Sequence, residues 1–284
     1  LIANKAREHG VDVSNVLWEP FDGVGRLRNG FYALEVGAGP RPAAVTYDRG
    51  HTAISGMTPE MADWSAILDG ARWLHVSGIT PALSETLAET VIRAFRTAAE
   101  KGVTTSYDLN YRGKLWSAER ARQVNARIVP HVKVLIGNEE DFEKCLGIAA
   151  AGTDQTYSTL DPESYKQVVR EAAGRFENVE MVGTTLRQVK SALLNDWRTL
   201  LFDGERFHLS QVYENLEIVD RVGGGDSFAA GLICMLLEGK PPAEANEFAA
   251  AYSALAHTFG GDMNWATRAE AEKLAAGAGA RISR

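Results

Sequence analysis

The order of its strand and helix signals constrains this chain more than any single motif. From Arg72 onward, short β-rich runs alternate with stretches of helical periodicity. Arg72–Gly78 reads as a short buried strand closed by glycine. Leu83, Leu87, Val91, Phe95 and Ala98 then recur at helical spacing until Gly102 stops the pattern. Val103–Leu109, Lys133–Ile136 and Val179–Thr184 read as further strands. Ser117 and Asp161-Pro162-Glu163 open helices, the acidic turn Glu139-Glu140-Asp141 suits another helix start, and Asp226–Glu238 is helical. Strands that alternate with helices predict an α/β fold: a largely parallel sheet with helices on both faces.

Residues 16–57 break that rhythm. They show no helix, but carry two β-rich pieces, Phe31–Val36 and Ala43–Tyr47, between Gly/Pro turns. The expectation is a small β lid over a main domain made of 1–15 and 58–284. At 284 residues the chain suits one main core with a small appended element. Leu1–Gly10 reads as the last turns of an amphipathic helix ending at a glycine cap. A further N-terminal segment ahead of it is expected.

Charge and composition narrow the partners. A net charge of -7 and the lack of a Lys/Arg cluster argue against nucleic acid, though not against a single nucleotide. No apolar run approaches the ~18 residues of a membrane span, and no signal-peptide pattern is present, so a cytoplasmic protein is expected. The two cysteines, Cys145 and Cys234, lack metal-ligand spacing and read as buried free thiols.

Ligands of open α/β sheets bind beyond the carboxyl ends of the strands. The polar residues just past the expected strands are Asp108, Asn110 and Arg112, then Asn138 and Glu139, then Thr185 and Arg187. Asp226 joins them at the end of Gly223-Gly224-Gly225, which opens the helix Ser227-Phe228-Ala229-Ala230-Gly231. Consecutive glycines let several N–H groups point at one spot, and the helix dipole favours an anion there. A carboxylate beside such a cradle can take a hydroxyl proton while the N–H groups stabilise a transferring phosphoryl. On these residues alone a plain glycine turn followed by an ordinary N-terminal helix Asp is an equal alternative. Gly-x-x-x-x-Gly-Lys-Ser/Thr, the dinucleotide glycine pattern and the His-Arg-Asp kinase loop are all absent.

The run Asp220-Arg221-Val222-Gly223-Gly224-Gly225-Asp226 resembles the C-terminal signature of the ribokinase-like (pfkB) sugar kinases, Asp-Thr-x-Gly-Ala-Gly-Asp. Here Arg221 stands in place of threonine, Val222 at the unspecified position, and Gly224 in place of alanine. Gly137-Asn138-Glu139-Glu140-Asp141 is similar to the family's Asn-x-x-Glu segment, with Asp141 at the fourth position. Thr185-Leu186-Arg187 matches the strand end that packs on the nucleotide. Asp108–Trp116 resembles the Asp-x-Asn-x-Arg-x-x-Leu-Trp run of 2-keto-3-deoxygluconate kinases. Val45–Arg49 falls where those kinases place Tyr-x-Arg.

The resemblance implies a ribokinase-like three-layer α/β/α domain, mostly parallel in its central sheet, that binds the nucleotide, with residues 16–57 serving the substrate site. It implies transfer of the γ-phosphoryl of ATP to a hydroxyl of a sugar acid, 2-keto-3-deoxygluconate, with Asp226 as base. Gly223, Gly224 and Gly225 become the anion hole. Tyr32, Tyr47, Arg49, Asn110, Arg112 and Asp226 become the sugar-acid contacts, because guanidinium offers carboxylate a planar fork of donors. Asn138, Thr185, Arg187, Gly223, Gly225 and Asn264 become the nucleotide contacts. Mg²⁺, held through water and phosphates near Glu139 or Asp141, and a monovalent cation are the implied ions. A homo-oligomer formed through the lid is expected. Other substrates within the same family are 5-dehydro-2-deoxygluconate, ribose, fructose and nucleosides. A non-catalytic sugar or nucleotide sensor is the alternative of another class. His75, His257 and Trp116 read as structural.

Overall fold

The computed structural model describes residues 1–39, 41–149 and 162–277; Asp161, read as a helix opener, lies outside the described residues. Helix α1 (Ile2–Glu8) precedes a hairpin of β1 (Phe31–Glu35) and β2 (Ala44–Asp48), and the short α2 (Trp64–Ile67) leads into the body. There β3 (Trp73–Ser77), α3 (Ile79–Ala82), α4 (Glu85–Glu100), β4 (Thr104–Asp108), α5 (Ala118–Ile128), β5 (Val134–Ile136) and α6 (Glu139–Leu146) alternate. After α7 (Pro162–Arg175) come four strands: β6 (Met181–Ser191), β7 (Leu194–Phe202), β8 (Phe207–Leu209) and β9 (Tyr213–Glu217). Helices α8 (Gly224–Leu237), α9 (Pro242–Ala256) and α10 (Arg268–Ala275) complete the described chain.

The strands β3, β4, β5 and β6 pair in parallel, in that spatial order. The three-layer arrangement follows from residue alternation. In β5, Val134 and Ile136 pack on one face with Phe228, Leu232 and Met235 of α8 and Phe248 of α9. Leu135 points the other way, into a cluster with Phe95 of α4, Ile128 of α5, Phe142 of α6 and Val168 of α7. Leu135 is fully buried, so Leu135→Ala should cost about 2–5 kcal/mol. Leu200 and Leu201 of β7 divide between the same two clusters.

The sequence reading ended a strand at Thr184, but β6 continues to Ser191 and turns directly into antiparallel β7, which also carries β8 and β9. Beyond Leu186 strand β6 leaves the core and its residues become exposed or half-buried, so the apolar signal fades while the ladder continues. Helix starts follow their caps: Ser84 accepts from Leu87 N–H, Ser117 from Arg120 N–H, and Asn138 forms a reciprocal box with Asp141. Cys145 is buried as expected, whereas Cys234 is exposed, a correction. Phe228, Leu232 and Met235 define the inner face of α8, and position 234 falls outside it.

The hairpin β1–β2 is a separate two-stranded sheet, with Tyr32 opposite Tyr47 and Leu34 opposite Val45. An ion pair between Arg28 and Asp48 ties the chain entering the hairpin to its exit. Among the described residues no helix is long and apolar enough to cross a membrane.

Candidate active site

The ends of β3 and β4 are pressed together. A Cβ on Gly78 would lie 2.1 Å from the Leu109 carbonyl oxygen, so only glycine fits there. Gly78 N–H donates to the Asp108 carbonyl at 2.7 Å. Asn110 then takes a left-handed conformation (φ 39°), and its side-chain amide donates to Ser77 Oγ at 3.0 Å. The turn is secured from α6: the Asp141 carboxylate accepts from Tyr111 N–H at 2.7 Å and from Asn138 N–H at 2.9 Å. Arg112, the next residue, is therefore launched from a fixed backbone, and its guanidinium donates to the Tyr111 carbonyl at 2.7 Å.

Between these strand ends, the β1–β2 hairpin and the start of α8 lies a cavity of about 770 Å³, a volume suited to small ligands. It gathers most of the expected site residues. Tyr32, Tyr47 and Arg49 come from the hairpin, and Asn110 and Arg112 from the turn after β4. Asn138, Glu139 and Asp141 come from the start of α6, Thr185 and Arg187 from β6, and Gly223, Gly225 and Asp226 from the start of α8. The Arg49 guanidinium sits 4.0 Å from the centre of the Tyr47 ring, a cation–π contact that leaves the fork able to engage an anion.

Two expected residues stand apart. Asn264 does not line the cavity. Its amide donates to Ser227 Oγ (3.2 Å) and the Tyr252 carbonyl (3.0 Å), which staples the loop after α9 to α8. Gly224 also faces away. A Cβ there would stand 2.5 Å from Cε1 of the His257 ring, whose Nδ1 pairs with the Ser253 carbonyl at 2.8 Å. Its neighbour Gly223 needs its glycine for conformation (φ 81°). His257 is buried as a structural residue would be, yet its ring also borders the cavity. His75 bonds Ser106 Oγ at 2.7 Å and lies outside the cavity lining. Trp116 is in the core.

Arg221 and Asp262 line the cavity and escaped the sequence reading. Arg221 was visible as a departure from the family signature. Asp262 follows the glycine pair 260–261, next to the Asn264 that was chosen instead.

Burial first, and crowded carboxylates second, set the electrostatics. Burial raises the Asp226 carboxyl above its ordinary range; Arg112 opposes the shift and Asp262 adds to it. Asp108 is raised much further, by burial first and then by Asp141 and Asp226, with Arg112 opposing. Burial lifts Glu139 to about 7. A divalent cation fits this donor set, since it would relieve the anionic surplus at Glu139, and no group of three His, Cys, Asp or Glu among the described residues could hold one unaided. A bound phosphate would have to supply part of the coordination. Asp141 is a poorer ligand than Glu139, because its carboxylate already holds two backbone N–H groups.

The family model described as pfkB family carbohydrate kinase matches residues 1–268. A 2-dehydro-3-deoxygalactonokinase from Haloferax volcanii is 35% identical over 283 residues, covering 100% of this chain and 80% of its own length. A crystal structure of 2-dehydro-3-deoxygluconokinase from Thermotoga maritima superposes with a TM-score of 0.82 at 46% identity, over 87% of this chain and 73% of that one. A pfkB family carbohydrate kinase from Listeria grayi gives 0.84 at 31% identity, over 96% and 80%.

Proposed function

The chain belongs to the pfkB family of carbohydrate kinases, and from that premise we propose that it transfers the γ-phosphoryl of ATP to a hydroxyl of a 2-keto-3-deoxy sugar acid, 2-keto-3-deoxygluconate first. The observation that carries this reading is the meeting of two arginines, Arg49 and Arg112, with Asp226 and the glycine turn in one cavity. Guanidinium pairs select a carboxylate, a carboxylate base activates a hydroxyl, and a glycine-opened helix start receives phosphate. In this reading residues 16–57 form the substrate lid, and 1–15 with 58–284 form the nucleotide-binding part.

Asp226 accepts the proton of the substrate hydroxyl as that oxygen bonds to the γ-phosphorus. The bond from phosphorus to the bridging oxygen breaks, and ADP leaves with the electron pair. The raised proton affinity of Asp226 makes it a stronger base than an ordinary aspartate, and Arg112 opposes that shift. Backbone N–H groups at Gly223 and Gly225 face the phosphoryl, and Thr185 and Asn138 border the nucleotide. When bound, Mg²⁺ supplies positive charge to the phosphate oxygens, and Glu139 is the carboxylate that would hold it. Tyr32 and Tyr47, with ring centres 5.9 Å apart, flank the sugar acid.

The test is ATP consumption with 2-keto-3-deoxygluconate, its galactonate epimer, 5-dehydro-2-deoxygluconate, ribose and fructose. Turnover confined to the two 2-keto-3-deoxy acids is expected. Turnover only with neutral sugars would overturn the sugar-acid assignment. Tight sugar-acid binding with no turnover would favour a sensor.

A further inference from the structure

We infer that Arg221 and Arg187 form a paired clamp for the phosphate chain of the donor nucleotide. The inference rests on the reading of the protein as an ATP-dependent kinase. Strand β6 alternates its side chains, so Thr185, Arg187 and Val189 share one face, and all three line the cavity. Arg221 reaches the same cavity from the segment just ahead of Gly223. Its Nη2 donates to the Ala192 carbonyl at 3.2 Å, at the turn joining β6 and β7. One contact thereby pins the guanidinium to the hairpin that also carries Arg187.

Neither arginine has an ion-pair partner among the described residues, whereas Arg28, Arg120, Arg127, Arg175 and Arg268 each hold a carboxylate. The two guanidinium charges are close enough to disfavour each other: Arg187 is lowered from the ordinary arginine range by burial first and by Arg221 second. Glu139 offsets this less than Arg221 adds to it, and is itself raised to about 7. Two like charges lining one cavity form an unfavourable arrangement that a polyanion reverses. Planar guanidinium forks match phosphate oxygens two at a time. The beginning of α8 adds N–H groups at the same end, so the phosphate chain would lie between backbone donors and the arginine pair. Arg221 is thus a donor-side specificity residue, for which threonine stands in the signature this chain resembles.

The test is equilibrium binding to wild type, Arg221→Gln, Arg187→Gln and the double variant, with ATP, ADP, AMP, adenosine, inorganic tripolyphosphate and 2-keto-3-deoxygluconate as probes. Each single variant should weaken ATP and tripolyphosphate about tenfold to a hundredfold, with smaller losses as phosphates are removed. Affinity for adenosine and the sugar acid should stay within twofold or so, and the double variant should lose less than the product of the single losses. Arg221→Lys should recover part of the ATP affinity. An Arg221 that serves only to tie Ala192 would instead lower the unfolding midpoint and weaken all probes alike, which overturns the clamp. Unchanged tripolyphosphate affinity in Arg221→Gln, with wild type still turning over ATP, sinks the clamp and leaves the kinase reading standing. A wild-type protein that neither binds nor consumes ATP sinks both. Should Arg221→Gln fail to fold, Arg187→Gln reads the same outcome, since no hydrogen bond ties its side chain among the described residues.

Discussion

The two ends of the cavity are built from different material. At the proposed donor end the surfaces are largely backbone and body: the glycine turn before α8, the end of β5 and the long β6–β7 ribbon. At the proposed acceptor end they are side chains, and among them Tyr32 and Tyr47 come from a two-stranded sheet separate from the main one, with Arg49 just past its second strand. Outside the proposed Arg187–Arg221 clamp, a backbone-built surface tolerates little extra volume but is indifferent to most side-chain chemistry. A side-chain-built site behaves the other way. One end should therefore be broken by adding a methyl group, and the other by changing a functional group while keeping its size.

Asp226 stands where the two ends meet, and its loss should give the largest effect. Asp226→Asn should lower kcat by about 10²–10⁴-fold while ATP binding persists, as measured by turnover beside calorimetric titration. Retained turnover would remove the base from the mechanism. Next comes the donor end: Gly223→Ala forces a left-handed backbone onto alanine and places its Cβ 3.3 Å from the Asp262 carbonyl. An increase of roughly tenfold or more in KM for ATP is expected, with the sugar-acid Kd little changed.

The acceptor end should respond to chemistry instead. Arg112→Gln should reduce the preference for keto-deoxy acids over neutral sugars by about tenfold. The same variant removes the charge that holds the Asp226 proton affinity down. Because the base works deprotonated, the acidic limb of kcat/KM should move to higher pH. A limb that stays in place would show that the two groups do not communicate.

The smallest effect concerns stability. Asp108 binds its proton more tightly folded than unfolded, so the folded state carries the extra proton between the ordinary carboxylate range near ~4 and the raised value. Stability contributed at this position falls as pH rises through that window. Asp108→Asn should therefore raise the unfolding midpoint by roughly a few degrees at pH 8, with no gain at pH 3. A gain of equal size at both would assign the effect to packing.

What was legible in the sequence follows the same division. Strands β3, β4 and β5 are legible because each is short, rich in apolar or β-branched residues and bounded by glycine or a helix cap. The order of strands and helices alone brings Asp108, Arg112, Asn138, Thr185 and Arg187 to one edge, at or just past the strand ends. Past Thr184 the β6–β7 ribbon is not legible, because the outer half of β6 is exposed or half-buried, β7 there buries the polar Asn195 and Asp196, and the turn at Ala192 contains neither glycine nor proline. Asn264 looked like a site residue through its position in a glycine-rich loop. Only the fold reveals that its amide is committed to Ser227 and Tyr252. Arg221 was noticed as a mismatch with a signature, and a mismatch carries no direction until a cavity gives it one.

The packing of Gly224 against His257 couples two positions. The imidazole occupies the space that a methyl group at 224 would need, and alanine is the residue shown there by the signature this chain resembles. A single alanine at 224 would meet a buried ring 2.5 Å away, so either the ring shifts or residue 257 must be smaller for that methyl to be housed. The effects of substitutions at 224 and 257 should therefore depend on each other rather than add.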